Sequence, residues 1–247
     1  MLLTSGETER EVTLTCGFYM GIHLVTQEQF YAVMGYNPSH FSSNPADGEA
    51  QGRRPVEMVN WFHAIAFANR LSIMQGLEPA YHVAGVNWET LTFANVPTTG
   101  NATWNAATVN WNASGFRLAT EAEWEFAARG GVVCRGNFEF SGSNVVSEVA
   151  WYSGNSSGST QPVGMLRPNA LGIYDMSGNV WEWVWDWYGV LPSSGQATNP
   201  AGAAAGGNRV FRGGGWINAP VLARSAFRIN VVPVNRYINL GFRVVRP

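Results

Sequence analysis

The residue types that do chemistry unaided are few in this chain and poorly spaced for it. Cys16 and Cys134 are the only cysteines. They lie far apart and read more simply as two buried thiols than as a disulfide framework. His23, His40, His63 and His82 show no ligand spacing to one another or to a cysteine. His63 falls within a helical stretch, where a satisfied packing role is the plainer reading. Binding chemistry is better represented, in the segment Arg209–Pro247. Its ends, RGGGW (212–216) and NLGFRVVR (239–246), read as buried structure. The stretch between them is rich in Asn, Ile, Val, Leu and Phe and holds no Lys, Glu, Gln, Met, Trp or Cys. It reads as a surface of arbitrary chemistry carried on fixed ends.

The rest of the chain has to position that surface. With 247 residues, 46% of them hydrophobic, there is ample material for a core in one domain. No linker composition divides the chain, so a single domain over 1–247 is expected, with a variable region of about 212–247. Every basic residue is Arg, and the net charge of -2 gives no electrostatic footprint for nucleic acid. No apolar run is long enough to span a bilayer, and the first residues lack the form of a signal peptide. Glu11 to Gly17 alternates loosely and predicts a strand. Thr26 with Gln29 forms a capping-box pair ahead of an apolar face of Phe30, Val33 and Met34, and Gly35 follows as a stop. Asn60 caps a second helix running to Met74, with Trp61, Ile65, Ala68 and Leu71 inward. Short β-prone runs around Trp88, Trp104 and Trp111 predict hairpins over 83–112. A third helix starts at Thr120 with Glu123 and ends at Gly130-Gly131. Beyond it the helical period stops, so the class is α+β with much irregular loop.

Four segments carry a resemblance: FRLATEAEWEFAARGG (116–131), NALGIYDMSGNVWEWVWDWY (169–188), FRGGGW (211–216) and NLGFRVV (239–245). Together they closely resemble the formylglycine-generating enzyme, or sulfatase-modifying factor, family, and the match extends in order over nearly the whole chain. The resemblance implies a variant of the C-type lectin fold, with two to three helices and small antiparallel sheets. It also implies a copper-binding cysteine pair after the RGGS[WY] motif. The corresponding segment here, INAPVLARSAFRI, has no cysteine, and a thiolate is what that chemistry requires. The enzyme activity is therefore rejected.

A second likeness fits better. The chain resembles the variable proteins of diversity-generating retroelements, in which adenines in a carboxy-terminal cassette are rewritten. Asn codons so rewritten reach Ile, Val, Leu, Phe, Tyr, Pro, Arg, Ser, Ala and Gly but not Lys, Glu, Gln, Met or Trp, and residues 217–240 keep to that set. This likeness implies a non-enzymatic, surface-displayed binding protein, tethered as a lipoprotein or phage tail. Its ligand would be an unidentified protein or glycan on a host or microbial surface, and a monomer is expected. The positions read as diversified are Ile217, Asn218, Pro220, Val221, Leu222, Phe227, Ile229, Asn230, Val231, Val232, Val234, Asn235, Tyr237, Ile238 and Asn239. Trp216, Ala219, Ala223, Arg224, Ser225, Ala226, Arg228, Pro233 and Arg236 would hold the frame. The competing reading makes the Val, Ile and Phe ordinary strand core, although Pro233 and the aperiodic Asn residues tell against an interior strand.

No cofactor is required. A structural calcium is implied by the resemblance alone, with the Asp175 and Glu182 carboxylates and the Gly178 and Val180 carbonyls as ligands. The alternative is that both acids pair with Arg or cap turns. Arg212, Arg228 and Arg243 are expected in ion pairs with Glu123, Glu125 or Asp186. The Trp-rich 181–188 run could stack on sugars but reads better as packing. A variable binder is the preferred function class; the alternatives are an oxidase of the formylglycine type, against which the absent cysteine pair stands, and a lectin of fixed specificity.

Overall fold

The computed structural model describes residues 11–133, 136–190 and 195–247. Helices are α1 (Gln27–Met34), α2 (Trp61–Met74), α3 (Ala102–Asn105), α4 (Glu121–Ala128) and α5 (Val146–Val149). Three of these five reach eight residues, as the sequence predicts; the other two are single turns. The strands are β1 (Val12–Thr13), β2 (Tyr19–Met20), β3 (Tyr81–His82), β4 (Thr108–Val109), β5 (Ala150–Trp151), β6 (Ser177–Gly178), β7 (Trp181–Trp187), β8 (Ala197–Thr198), β9 (Arg209–Arg212), β10 (Arg228–Val231), β11 (Leu240–Phe242) and β12 (Val245–Arg246).

Local signals account for the three longer helices. The side chains of Thr26 and Thr120 each accept the backbone N–H three residues on, and Gln29 and Glu123 return the bond. In α2 the same box is built from Asn60 and His63, and Gly35 ends α1 in the left-handed conformation. α2 is buried on nearly every face from Trp61 to Asn69, so it is a core helix. Leu71 is only half-buried.

One sheet, ordered β10-β9-β7-β11, divides the core. β7 alternates with period two. Trp181 and Trp183 join Phe211, Leu240 and Phe242 against α1 and α2. Val184 joins Val210 against Trp124, Ala127 and Ala128 of α4. The Trp indoles then tie the layers by donating to carbonyls: Trp61 to Val184 and Trp183 to Val59. The pairing is mixed, since β11 runs parallel to β7; the chain reaches β11 through a long excursion over 213–239 and not through a hairpin.

Two regions differ from expectation. The predicted hairpins over 83–112 reduce to one two-residue ladder, β3 with β4, enclosing helical turns at 93–95 and 102–105. There Asn101 caps α3 and Thr92 pairs with Asn95, so polar side chains close helical turns where strands were expected. The strand predicted over Glu11–Gly17 shrinks to Val12–Thr13. Cys16 is exposed, contrary to the buried-thiol reading, because its stretch lies beyond the sheet; Cys134 lies outside the described residues.

Candidate ligand-binding face

The excursion between β9 and β11 leaves β9 at Gly213, touches the sheet edge as β10 (Arg228–Val231) and reaches β11 at Leu240. Two positive-φ glycines begin it, and at Gly214 an added Cβ would stand 2.9 Å from the Ala223 backbone. Past them, a proline-started 3-10 turn (220–223) leads to the edge strand β10. None of the fifteen positions read as diversified is buried. All are half-buried or exposed, led by Ile217 at 51%, Val221 at 46%, Val232 at 43% and Tyr237 at 41%. Interleaved residues behave differently: Trp216, Ala223, Arg224, Ser225 and Pro233 are buried. Ala219 and Arg236 are exposed, however, and Ala226 and Arg228 half-buried. Leu222, Phe227, Ile229, Val231 and Val234 rest partly on the main core.

What holds this segment is its backbone, gripped by body groups at carbonyl oxygens. Trp61 N donates to Pro233 O (2.9 Å) and Met58 N to Tyr237 O (3.0 Å). Trp181 N donates to Asn239 O (2.8 Å) and Ser153 N to Asn218 O (3.0 Å). Side chains of the frame do the same: Trp216 Nε1 to Ile238 O, Ser156 Oγ to Trp216 O, Ser177 Oγ to Ala223 O and Arg212 Nη2 to Ser225 O. Such bonds are indifferent to the side chain carried by the residue they hold. Met58 reaches its place with φ +60, a costly conformation for a non-glycine that aims its N–H at Tyr237.

Asn218 stands apart. Its Oδ1 accepts from Trp181 Nε1 (2.8 Å), Gly215 N (3.1 Å) and Asn239 Nδ2 (3.3 Å), so this side chain serves the frame. Other Asn amides on the segment are also engaged locally: Asn235 Nδ2 donates to Tyr237 Oη, and Asn230 Oδ1 accepts from Asn208 Nδ2. Two clefts, of about 280 and 270 Å³, lie around Arg129, Asn137 and Phe138, and none of the fifteen positions lines either. The segment's exposed side chains, Ile217, Val221, Val232 and Tyr237, lie outside both clefts.

Arginines weld the frame beneath it. Arg212 is bound by Glu121 (2.9 Å) and Glu125 (2.7 Å), and Arg228 by Glu121 (2.7 Å). Of the expected partners, Glu125 is present. Glu123 instead pairs with Arg117 (2.6 Å), which lies nearer the start of α4. Asp186 accepts the Glu121 N–H, and burial, followed by the Glu121 charge, raises its pKa to about 8. Arg209 is enclosed by the rings of Trp61, Trp185 and Trp187, at 3.8, 4.9 and 3.5 Å. Trp185 also stacks on Tyr81. The 181–188 tryptophans are thus committed to packing and offer no open stacking platform.

The calcium ligand set does not fit the side chains present. Arg243 binds Glu182 bidentately, at 2.6 and 2.8 Å, and both groups are fully buried. Asp175 accepts Gly164 N (2.8 Å), and burial raises its pKa to about 6. Gly178 is closed against Trp151, whose carbonyl would lie 2.3 Å from an added Cβ, and Val180 packs with Leu24 and Val163. A guanidinium occupies the place where a hard cation would need free carboxylate oxygens. Among the described residues, no three His, Cys, Asp or Glu gather as a metal cluster. His63 is half-satisfied: Nδ1 accepts from Asn60 N, while Nε2 has no partner. Burial, then the Arg236 charge, lowers its pKa to about 3 and keeps it neutral.

The family profile of the Sulfatase-modifying factor enzyme 1-like domain matches residues 4–247. The chain belongs to that family. A solved structure, Treponema denticola variable protein 1, is 44% identical with a TM-score of 0.90, over 96% of this chain and 86% of the other. The likeness to a variable protein, drawn from the sequence, is thus seen in a solved fold. The Chaperone protein LppX of Paenibacillus barcinonensis is 38% identical over 98% of this chain and 84% of its own length. A Formylglycine-generating enzyme of Streptomyces coelicolor is 29% identical over 96% of this chain and 81% of its own. The α+β, C-type-lectin-like architecture expected of the family is the one described above.

Of the groups that grip the segment, Trp216 and Arg212 were placed in the frame from sequence; the serines and Met58 were not. Ser153, Ser156 and Ser177 lie in irregular sequence with no period to mark them. Met58 precedes the Asn60 cap, and only its backbone acts.

Proposed function

We propose that this chain is a non-enzymatic binding protein whose residues 217–239 form a diversified ligand face, displayed at the cell surface. One observation carries the reading. Side chains at the fifteen named positions face or approach solvent, while fixed donors hold the segment through its backbone. Affinity can then change without refolding, and the face is preorganised before a ligand arrives. The family relationship and the likeness to a variable protein support it. Against oxidation chemistry stands the segment after Trp216, which holds no cysteine.

A display library randomised at the named positions other than Asn218 tests the face. Most clones should resist protease as the parent does, and binders should be selectable against arbitrary proteins. Widespread unfolding would defeat the proposal. Copper-dependent turnover of a sulfatase-type cysteine peptide would defeat its non-enzymatic part. Protease shaving of intact cells tests display: the domain should be released without lysis.

A further inference from the structure

Charge is divided unevenly along the chain. All seventeen Asp and Glu lie at or before Asp186, and seven of the fifteen Arg follow it. Most of those seven are engaged by the body. Arg212, Arg228 and Arg243 are ion-paired, Arg209 is ringed by tryptophans, and Arg246 lies over Tyr19. Arg224 is buried, with its Nε donating to Val221 O. Arg236 is different: it is exposed, and no carboxylate lies within ion-pair distance of it among the described residues. It sits in the segment between Pro233 and Tyr237, whose carbonyls accept from Trp61 N, at the start of α2, and from Met58 N, three residues earlier.

Aromatic surface of the fixed body continues from this point. The segment is held at Met58 and Trp61, and His63 follows one turn into α2; Phe93 stacks on His63 with centroids 4.4 Å apart, and Tyr36 stands against Phe93 at 4.7 Å. Tyr36 is 53% exposed. The open face thus combines apolar side chains, a fixed tyrosine and one unpaired guanidinium, and its segment carries no negative charge. An incoming cation meets only a like charge; an incoming carboxylate meets a bidentate donor. A sugar held through calcium would need carboxylates, which residues 217–239 lack.

We propose that the face of this chain takes a protein segment in which a carboxylate, seated on Arg236, is flanked by apolar side chains covering Val232, Tyr237 and the fixed Tyr36. This rests on residues 217–239 being the binding face. Tyr and Arg at a partly desolvated centre are the residue types that dominate interface energetics. Tyr36 would supply an anchor that stays constant while the segment varies.

The test is to pan a random dodecapeptide library on the purified protein, then measure the enriched consensus peptide against two variants. One is Arg236→Glu; the other combines Val232→Ser and Tyr237→Ser. All three positions are exposed, and circular dichroism checks that each variant folds. Enriched peptides should carry Asp or Glu beside Phe, Trp or Leu. The consensus should lose about tenfold or more in affinity for Arg236→Glu and regain part of it when its acid is exchanged for Lys. Enrichment of basic or uncharged peptides, or equal binding to Arg236→Glu, overturns the proposal. So does an absence of enrichment when neutral glycans on an array are bound. Acidic peptides that bind the Val232→Ser/Tyr237→Ser variant undiminished would instead sink the assignment of the face itself.

Discussion

β7 and the segment 217–239 are both rich in large apolar side chains, yet they meet opposite fates. Strand β7 alternates, and each of its faces finds a packed layer: Trp181 and Trp183 toward α2, Glu182 and Val184 toward the other side. The segment has no period, and none of its fifteen marked positions is buried. Apolar content therefore does not decide burial here. The difference lies in the pairing: β7 has ladders on both edges, whereas the segment pairs only along β10, on one edge against β9, and is otherwise held at intervals by donors from elsewhere.

If that contrast is right, damage should grade from the welded frame outward. Replacing Arg243 by Leu leaves the fully buried Glu182 carboxylate unpaired and should cost about 3–5 kcal/mol in urea unfolding. A loss near zero would mean the pair is replaceable packing. Asn218→Ala comes next. It strands the Trp181 indole N–H and the Gly215 amide and should cost about 1–3 kcal/mol, which would separate Asn218 from its neighbours on the segment.

Glu57 sharpens the comparison through pH. It is buried beside Met58, and burial raises its pKa from 4.5 to about 7 although the Phe41 amide donates to it. The folded protein therefore keeps a proton that the unfolded chain releases. Its stability is full below pH 4.5 and declines as pH rises toward 7. Glu57→Gln removes that slope, so it should match the parent at pH 4 and exceed it at pH 8 by on the order of 3 kcal/mol. Parallel stability curves would refute this. Thr120→Ala, a lost helix cap, should cost about 1 kcal/mol by thermal unfolding. Ile217→Ser, Val232→Ser and Tyr237→Ser should each stay within about 0.5 kcal/mol of the parent while altering ligand binding.

Much of this arrangement was legible in the sequence, and what was missed has physical causes. The helix starts could be read because Thr26, Asn60 and Thr120 act on residues three positions away. The exposure of Ile217, Val221, Val232 and Tyr237 goes with irregular sequence, but the edge strand β10 and the core contacts of Ile229 and Val231 carried no period by which to foresee them. The run around Trp104 reads as β-prone but folds as the helical turn 102–105, because Asn101 before it serves caps as readily as turns and nothing local separates the two uses. Parallel β11 on β7, and the paired carboxylates of Glu121 and Glu182, depend on partners far along the chain. So the ion pairs were half anticipated, and of the two readings of Glu182, a cation ligand or a partner for Arg, its bond to Arg243 is the second.

The frame takes hold of the segment mostly at oxygen, and this widens what the segment can accept. An imino acid has no N–H to give but keeps its carbonyl. Pro233 shows the outcome, since its oxygen receives the first amide of α2 as any other residue's would. Substitutions that stiffen the chain, and not only those that recolour its surface, are therefore open to this loop wherever its own amides stand idle.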